Sequence, residues 1–528
     1  MPEIVPLSVL VITKNEEKRL PECLDSVRWA GELIVLDDES TDGTLDVARA
    51  YGAKILQRKM DVEGRHRNYG YAQAKYEWVL SIDADERVTP ELRDEIIALL
   101  KTNPALNGYT MPRKNFMGKR WIKKGGWYPS PQLKLFRRDH FKYEESEVHP
   151  RAFLDTACGN LKGDLLHYSY RDLYDFIGKQ NKQTTLEVRK WVKDGRKMPL
   201  SKALWRTFDR YYRSYAAKKG SEDGTLGYIL AAMGGMYQFV SYTKYWAIKK
   251  VPAAQPGAEK KIAYPPAEKS THRRKKISAV ILTKNAAKKL ETCLNSLRWA
   301  DEIVLVDGGS TDETVALATA AGAVVVTDMT ADNFGALRNR GTDADSGDWV
   351  LQLDADERIT PAFYNDLEKL LAQDTSRHAA YKFRRENIFL GKKMRFGGWT
   401  HDSLHLFRKG MARYEGRVHE KLIVSGTVGR MKTGVEHAPF DSIEEFLDRQ
   451  NRYSTLEARQ WLSERGGHIP EDEVLRQIQK RPWRLFIKIY FRKKGFLDGT
   501  HGFLFSGLFA YLHLIKWAKV WEIQNAQE

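Results

Sequence analysis

Cysteine is scarce in this chain of 528 residues, which contains only three. Cys23 and Cys293 occupy matching helical patterns, Cys158 stands alone, and no Cys-x-x-Cys or Cys/His spacing typical of a metal site is present. The scarcity argues against a disulfide framework and against a zinc-cysteine centre. It predicts reduced, structural thiols in a cytosolic protein.

Long apolar runs are also missing, since no uncharged stretch reaches the roughly 18 residues that a membrane-spanning helix needs. The first residues, 1–7, lack the basic segment and cleavage site of a signal peptide, so we expect a soluble or surface-bound protein.

Acidic residues are too few to balance the charge, because 86 Lys and Arg face 69 Asp and Glu and leave a net charge of +17. This excess favours anionic partners: nucleic acid, phosphorylated substrates or an acidic membrane surface. No zinc-finger, RNP or helix-turn-helix pattern accompanies the charge, so we expect no specific binding of nucleic acid.

The chain contains two copies of one sequence unit. Thr13-Lys14-Asn15 returns as Thr283-Lys284-Asn285, and Asp83 returns as Asp354 at almost the same offset along the chain. A nearly constant register over this span indicates duplicated domains. We expect a first α/β domain at 1–170 with a helical tail at 171–250, a linker rich in proline and basic residues at 251–276, a second α/β domain at 277–440 and its helical tail at 441–528.

Within each copy, short apolar strands alternate with helical patterns. In the first copy, strands are predicted at residues 7–12 and 33–36, with a helix over 16–30 between them. This alternation predicts a mostly parallel, Rossmann-like sheet covered by helices. Ligands of such sheets bind at the carboxyl ends of the strands.

Each copy also has an apolar strand that ends in two carboxylates one residue apart, Asp83 with Asp85 and Asp354 with Asp356. Residues one apart on a strand point the same way, so both acids can face one divalent cation and the diphosphate it carries. Such oxygen ligands suit Mg²⁺ or Mn²⁺. A lone Asp-x-Asp is more often a turn or helix cap, and it is the position and the recurrence that favour a metal site.

Further polar residues follow the neighbouring strands, and we expect them to line one crevice with the paired acids. Asp37 and Asp307 could instead cap the helices that follow them. The residues are Thr13, Asn15, Asp37 and Asp38 in the first copy and Thr283, Asn285 and Asp307 in the second.

Taken together, these residues resemble family 2 glycosyltransferases. The likeness is carried by residues 7–16, 37–44, 67–68 and 81–86 in the first copy and by 281–285, 307–312, 338–339 and 353–357 in the second. A closer likeness is to the subgroup of lipopolysaccharide inner-core β-1,4-glucosyltransferases. It is carried by Gly125-Gly126-Trp127, Gly397-Gly398-Trp399, Val418-His419-Glu420, Glu436-His437 and the late segment 494–499.

The resemblance implies two tandem GT-A domains, a nucleotide-sugar donor, with a UDP-sugar favoured, and inversion at the anomeric carbon. Thr13, Asn15, Asp37 and Asp38, and then Thr283, Asn285 and Asp307, would hold the nucleoside. Asp83 or Asp354 would approach the ribose or the metal, and Asp85 or Asp356 would bind the metal. Arg67 and Arg338 would reach phosphate, unless they are ordinary surface arginines.

Inversion by single displacement requires a base that takes the proton of the acceptor hydroxyl. Glu420 is the first candidate and Asp402 the reserve, while His419 or His437 could add a metal or phosphate contact. The first copy has Pro150 where the second has Glu420, and Ser130-Pro131 where an acid is usual in the family. We therefore expect catalysis in the second half. The first half would be a second transferase of altered acceptor choice or a donor-binding domain without turnover.

The helical tails contain apolar segments at 226–240 and 503–515 with basic flanks. Each is either a helix lying in the interface of an anionic membrane or a helix buried in its own domain. Our interpretation is a cytoplasmic glycosyltransferase, peripheral on the inner face of the inner membrane, that acts on a lipid-linked saccharide. The alternatives are protein or polyprenyl-phosphate glycosylation and a nonenzymatic scaffold that binds nucleotide sugars.

Overall fold

The computed structural model describes residues 5–145, 151–251, 263–267, 274–329, 334–373, 377–415 and 421–525. In the first half the strands are β1 (Val5–Thr13), β2 (Ala30–Asp37), β3 (Lys54–Gln57), β4 (Trp78–Asp83), β5 (Glu86–Val88), β6 (Gly108–Met111), β7 (Arg113–Met117), β8 (Arg120–Ile122), β9 (Gln132–Arg137), β10 (Phe141–Tyr143), β11 (Ala152–Leu154), β12 (Gly159–Asn160) and β13 (Leu165–Tyr170). The helices are α1 (Leu20–Asp25), α2 (Thr44–Ala50), α3 (Glu63–Ala72), α4 (Pro90–Lys101), α5 (Leu173–Lys193), α6 (Leu200–Tyr212) and α7 (Gly224–Lys250).

The second half repeats this order. Its strands are β14 (Ile277–Thr283), β15 (Glu302–Asp307), β16 (Val324–Thr327), β17 (Trp349–Asp354), β18 (Glu357–Arg358), β19 (Ala380–Phe389), β20 (Lys392–Lys393), β21 (His401–Arg408), β22 (Ala412–Glu415), β23 (Lys421–Val424) and β24 (Val428–His437). Its helices are α8 (Ala287–Asn295), α9 (Thr314–Ala320), α10 (Phe334–Ala344), α11 (Pro361–Gln373), α12 (Ile443–Ser463), α13 (Glu471–Ile487) and α14 (Thr500–Asn525).

The main sheet of the first half has the strand order β12-β6-β9-β4-β1-β2-β3. Strand β1 pairs in parallel with β2 and β4, and β9 runs antiparallel to β4. The second sheet has the order β16-β15-β14-β17-β21-β19-β24-β18 with the same senses at its centre. The predicted mostly parallel sheets followed by helices are confirmed.

The strand register brings the polar ends of the central strands together. In the first half Thr13 lies beside Asp37, and the preceding residue, Ile12, lies beside Asp83. In the second half Thr283 lies beside Asp307 in the same way. The acids therefore leave each sheet at one edge, as expected for the ligand-binding end of parallel strands.

Both faces of the central strands are buried. Along β1, Leu7, Val9 and Val11 enter one apolar core, while Leu10 enters the core on the opposite face with Phe136. Each fully buried side chain of this size contributes about 2 kcal/mol. The buried faces fix the strand register, because a one-residue slip would exchange the two faces.

One predicted element is much shorter than expected. The helical pattern over 16–30 forms only α1, Leu20–Asp25. Asn15, just before the pattern, has a left-handed φ of 54° that starts a turn, and α1 begins with a proline in its first turn. Proline suits a helix start, and the side-chain periodicity did not reveal this boundary.

The compact units do not follow the order of the chain. One unit contains Met1–Tyr245, Leu447–Lys480 and Tyr511–Glu528, and the other contains Trp246–Phe446 and Arg481–Ala510. Within the first unit, the Asn181 amide donates to Asp448 Oδ1 at 2.7 Å, and the Asn451 amide donates to the Tyr174 carbonyl at 2.9 Å. Helices α5 and α12 are thus joined by reciprocal hydrogen bonds.

A buried lysine lies against each of these two helices. Lys244 Nζ donates to Asn181 Oδ1 at 2.6 Å and to Thr184 Oγ1 at 2.9 Å. Lys519 Nζ donates to Asn451 Oδ1 at 2.6 Å. An ammonium buried among oxygen acceptors is satisfied, so each lysine ties its helix to the neighbouring one.

The apolar tail segments lie inside the protein. Leu230 and Val240 of α7, and Leu508 and Ile515 of α14, are buried. The membrane-interface alternative for residues 226–240 and 503–515 is therefore wrong, because these side chains pack against protein. Among the described helices, none combines the length and apolar character needed to cross a bilayer. The three cysteines form no disulfide, and Cys23 and Cys293 are buried.

Candidate active site

The loops after β1 and β2 are tied together. The Asn15 N–H donates to Ser40 Oγ at 2.8 Å, and Asn15 Oδ1 accepts the Thr41 N–H at 2.7 Å. Asparagine suits this place because it tolerates a positive φ. Asp37 accepts the Ser40 N–H at 3.0 Å, and helix α2 has Gly43 at its N-cap. Asp37 therefore fixes the loop and does not cap the helix.

The second half builds the same loop pair. The Asn285 N–H donates to Ser310 Oγ at 2.8 Å, Asn285 Oδ1 accepts the Thr311 N–H at 2.7 Å, and Asp307 accepts the Ser310 N–H at 2.9 Å. Thr283, buried at the end of β14, donates its hydroxyl to the Val306 carbonyl at 3.3 Å. Thr13 is buried at the matching position of β1.

Asp38 has no counterpart in the second half, where Gly308 follows Asp307. Burial alone would raise the pKa of Asp38, but hydrogen bonds from Lys14 at 2.8 Å and the Met60 N–H at 2.7 Å hold it below its usual value. The position after the buried acid thus carries a second carboxylate, Asp38, in the first half and a glycine, Gly308, in the second.

Two cations hold the first acid of each pair. Asp83 accepts from Arg67 at 2.9 Å and Lys134 at 3.1 Å. Asp354 accepts from Arg338 at 2.5 Å and Arg385 at 2.9 Å. Burial opposes ionisation of Asp83 and Asp354, yet the cations hold the pKa of both carboxyls well below the usual range. Arg67 and Arg338 are therefore largely buried against these acids, and the surface alternative for them is wrong.

The second cation comes from a different strand in each half. Lys134, on β9, also donates to the buried Glu86 at 2.7 Å. The matching residue on β21 is His405, and burial, reinforced by Arg338, lowers the pKa of His405 to about 3. The charge in the second half is supplied by Arg385 on β19, whose Nε lies 2.7 Å from Glu357. Sequence reasoning missed Lys134 and Arg385.

The second acid of the later pair faces a histidine. His437 Nε2 lies 3.4 Å from Asp356 Oδ1, and His437 Nδ1 contacts Asn387 Oδ1 at 2.5 Å. Because the Asn387 amide nitrogen donates to the Trp399 carbonyl at 2.7 Å, its oxygen must accept from Nδ1–H. Burial lowers the pKa of His437 against the opposing effect of Asp356. With Nδ1–H donated to Asn387, Nε2 is the ring nitrogen of His437 that faces the Asp356 carboxylate.

The first half contains the same arrangement around a histidine that sequence reasoning missed. His167 Nε2 lies 3.6 Å from Asp85 Oδ1, and Asn115 Oδ1 contacts His167 Nδ1 at 2.8 Å. The Asn115 amide donates to the Trp127 carbonyl at 2.5 Å. His167 occupies the position of the first copy that matches His437, so the register of the repeat could have identified it.

Each acid and its histidine would together supply two ligands to a divalent cation. Two ligands at right angles and about 2.1 Å from one ion lie about 3 Å apart, and the observed separations of 3.6 and 3.4 Å are wider than this. A metal-ligating imidazole usually donates its other N–H to a protein acceptor, as His437 does to Asn387. The described residues contain no group of three or more His, Cys, Asp and Glu side chains able to hold a metal. Asp356 and His437 would supply two ligands, and Asp85 and His167 two.

The two copies differ beside the second acid. Arg19 Nη1 lies 3.8 Å from Asp85 Oδ2. The matching Lys289 lies 2.9 Å from Glu445 instead, and the Arg385 guanidinium lies 4.0 Å from Asp356 Oδ1. A guanidinium therefore lies about 4 Å from the second acid in both halves, supplied by Arg19 in the first and by Arg385 in the second.

The structure describes only one of the two candidate bases. Asp402, on β21, accepts from the Arg430 guanidinium at 3.0 Å and is partly exposed. Glu420 and His419 lie outside the described residues, as do His149 and Pro150 of the first half.

Comparison with known proteins matches the glycosyl transferase family 2 model to residues 8–154 and 278–431. The lipopolysaccharide core biosynthesis glycosyltransferase LpsC of Rhizobium meliloti (strain 1021) is 26 % identical over 249 residues, which cover 46 % of this chain and 92 % of that protein. An uncharacterized glycosyltransferase of Rickettsia bellii (strain RML369-C) is 28 % identical over 262 residues, 47 % of this chain and 87 % of that protein.

Among solved structures, residues 1–349 of S. aureus TarS match at 18 % identity with a TM-score of 0.25, over 47 % of this chain and 85 % of that one. The two segments matched by the family model together exceed half of the chain, and each contains one pair of acids at the end of its central strand. The chain therefore belongs to glycosyltransferase family 2 and contains two GT-A domains of that family in tandem.

Proposed function

We propose that the chain transfers a sugar, with inversion, from a nucleotide-sugar donor to a lipid-linked saccharide, with the inner core of lipopolysaccharide as the favoured acceptor. Similarity to the lipopolysaccharide core biosynthesis glycosyltransferase LpsC supports this acceptor class. The net charge of +17 supports an acceptor that bears phosphate or lies at an anionic membrane. A UDP-sugar is the favoured donor because the family resemblance implies it.

The observation that carries the proposal is the set of contacts around His437. His437, on β24, faces Asp356 just after β17 and is held by Asn387 on β19. Asn387 orients the imidazole of His437, so the Nε2 atom of His437 and the Asp356 carboxylate face each other. Mg²⁺ or Mn²⁺ bound there would neutralise the charge that grows on the leaving diphosphate.

The other residues of the second half have roles that follow from their contacts. Asn285 and Asp307 shape the loop that would receive the nucleoside, with Thr283 at its base. Arg338 and Arg385 keep Asp354 ionised and place positive charge beside the diphosphate. Glu420 would take the proton of the acceptor hydroxyl, with Asp402 in reserve.

We assign turnover to the second half. Arg19 faces Asp85 in the first half, whereas Lys289 is engaged by Glu445 in the second, and Pro150 replaces the candidate base. The first half would then bind donor without turnover, or serve a different acceptor. We also propose domain boundaries at residues 170, 250, 276 and 440. The protein would lie on the cytoplasmic face of the inner membrane.

An acceptor screen with radiolabelled nucleotide sugars tests the proposal. Label should pass to deacylated or intact inner-core saccharide in the presence of Mn²⁺. Transfer to a peptide or polyprenyl phosphate instead would establish a rival acceptor. Donor binding without metal-dependent transfer or hydrolysis would establish the nonenzymatic scaffold.

A further inference from the structure

Helix α6 presents an apolar stripe to solvent. Trp205, Phe208 and Tyr212 are between 53 % and 64 % exposed, and Leu204 joins them. Their spacing of three and four residues places them on one face of the helix. We call these four residues the α6 patch. Aromatic side chains grouped on an exposed helical face indicate an interaction surface.

The second copy has a similar stripe, which we call the α13 patch. Trp483, Ile487 and Phe491 follow one another at four-residue intervals and are between 45 % and 68 % exposed. Trp483 and Ile487 occupy the positions of the second tail that match Phe208 and Tyr212 of the first. Phe496 and Leu497, which follow in the chain, are also exposed. The same two helical positions are therefore exposed and apolar in both copies.

Positive charge surrounds both patches. Residues 200–219 include six Lys and Arg against one acid, Asp209, which is ion-paired with Arg213. Residues 481–494 include six Lys and Arg and no acid. Arg484, Lys488 and Arg492 are exposed among the residues of the α13 patch. Apolar rings beside clustered cations complement the acyl boundary and phosphate layer of an anionic bilayer.

The segment after each patch holds the loop that contains the Gly-Gly-Trp motif. The Gly397 N–H donates to the Lys493 carbonyl at 2.8 Å, and Asp498 accepts the Phe396 N–H at 2.9 Å. Gly398 has a φ of +74°, and a Cβ there would lie 3.3 Å from the Lys493 side chain, so glycine permits this approach. In the first half, the Gly125 N–H donates to the Lys218 carbonyl in the same way at 2.9 Å.

That loop leads to the candidate metal pair. The Trp399 carbonyl accepts from Asn387, which in turn orients His437 beside Asp356. A chain of hydrogen bonds thus connects the segment after the α13 patch to the candidate metal pair.

We propose that the α6 and α13 patches are the surfaces by which this chain binds an anionic lipid bilayer. The aromatic and aliphatic side chains enter the interface, and the surrounding Lys and Arg contact lipid phosphates. The inference deepens the proposed function, on which it rests for the presence of a lipid-linked acceptor. Membrane contact is thereby assigned to the exposed α6 and α13 patches and not to the buried helices α7 and α14.

Cosedimentation of the full-length chain with vesicles tests this inference. The probes are phosphatidylcholine vesicles with and without phosphatidylglycerol, free of any saccharide. Binding should require phosphatidylglycerol and weaken with salt. The variant with Phe208→Ser, Tyr212→Ser, Trp483→Ser and Ile487→Ser should bind at least about tenfold more weakly, since four side chains lose interfacial burial. Replacing Lys488 and Arg492 by Gln should weaken binding about fivefold per charge.

A matched control carries Leu186→Ser and Leu456→Ser. These leucines are exposed at corresponding positions of α5 and α12, and each precedes a glutamate. The control should bind like the unaltered chain. Equal loss in the control, unchanged binding of the patch variant, or a patch that instead joins two copies of the chain in sedimentation velocity would overturn the inference.

The two experiments distinguish a failure of the membrane-binding inference from a failure of the proposed function. Vesicle binding is measured without donor or acceptor, and donor hydrolysis is measured without vesicles. A chain that transfers sugar but does not bind vesicles overturns only the membrane surface. A chain that binds vesicles through the patches but transfers nothing leaves that surface intact.

Discussion

His437 Nε2 lies 3.4 Å from Asp356 Oδ1, and its other ring nitrogen is held by Asn387. The separation is too long for a strong hydrogen bond and is wider than the roughly 3 Å between adjacent ligands of one ion. Nearly the same geometry joins His167 to Asp85. The duplicated feature is therefore an acid, a histidine and the amide that orients the histidine.

Asp356→Asn should reduce metal-dependent donor turnover at least about 100-fold, because the bound cation contributes several kcal/mol to the departure of the diphosphate. Asp85→Asn is the matched change in the first half and should leave most turnover intact. Rates of UDP-sugar hydrolysis and transfer with Mn²⁺ measure both. If only Asp85→Asn stops the reaction, catalysis belongs to the first half.

Glu420→Gln should lower transfer by about 10²- to 10⁴-fold, as expected when a general base is removed. Nucleotide affinity, measured by calorimetry, should hardly change because the nucleoside loop and metal pair are untouched. Ordinary turnover by this variant would discard Glu420, and Asp402→Asn would then be the next variant to assay.

Asn387→Leu should weaken Mn²⁺ binding by about 10- to 100-fold, since it releases the tautomer and ring orientation that the amide now fixes on His437. Asn387→Asp should restore part of the affinity, because a carboxylate still accepts from Nδ1–H. Paramagnetic resonance titration of Mn²⁺ reports affinity directly. A purely structural role would make both variants equally poor.

Arg19→Ala should strengthen Mn²⁺ binding in the first half, because it removes the guanidinium 3.8 Å from Asp85. The titration is best done with Asp356→Asn present, so that only the first metal pair remains. Lys289→Ala, measured with Asp85→Asn present, is the control and should change little, since Lys289 is engaged by Glu445. No gain from Arg19→Ala would show that the guanidinium does not hinder this pair.

Glu522→Gln should remove a pH dependence of stability. Burial raises the pKa of Glu522 to about 7, although the Leu173 N–H donates to it at 2.6 Å. Between the ordinary value near 4.5 and 7 the folded chain binds more protons than the unfolded chain, so stability falls as pH rises. Over this pH range the free energy of unfolding falls by up to about 3 kcal/mol. The difference between the melting temperatures at pH 5 and pH 7 should shrink in the variant, and an unchanged difference would contradict the assignment.

Much of the fold was predictable because the pattern of apolar residues encodes it directly. Apolar strands that end in Asp83 or Asp354 are buried on both faces, and that burial forces the strands into the centre of a sheet. The register of the repeat located the paired acids, and it would have located His167 had it been applied to His437.

Other features depend on packing that a linear pattern does not contain. Lys134 and Arg385 reach equivalent acids from different strands, so residue spacing could not reveal their shared role. The tails show the same limit: their most apolar segments are buried, while the exposed apolar faces lie on α6 and α13. Helical periodicity tells that a face is apolar and does not tell what covers it.

The composition of the first compact unit bears on how the chain can be made and divided. Because that unit draws on residues 447–480 and 511–528, synthesis of its sheet is finished long before its last helices emerge from the ribosome. A fragment ending near residue 250 would leave α5 without the partners of Asn181 and Tyr174, and its newly uncovered apolar surface would invite aggregation. The first copy therefore cannot be separated as a complete unit simply by cutting the chain near residue 250.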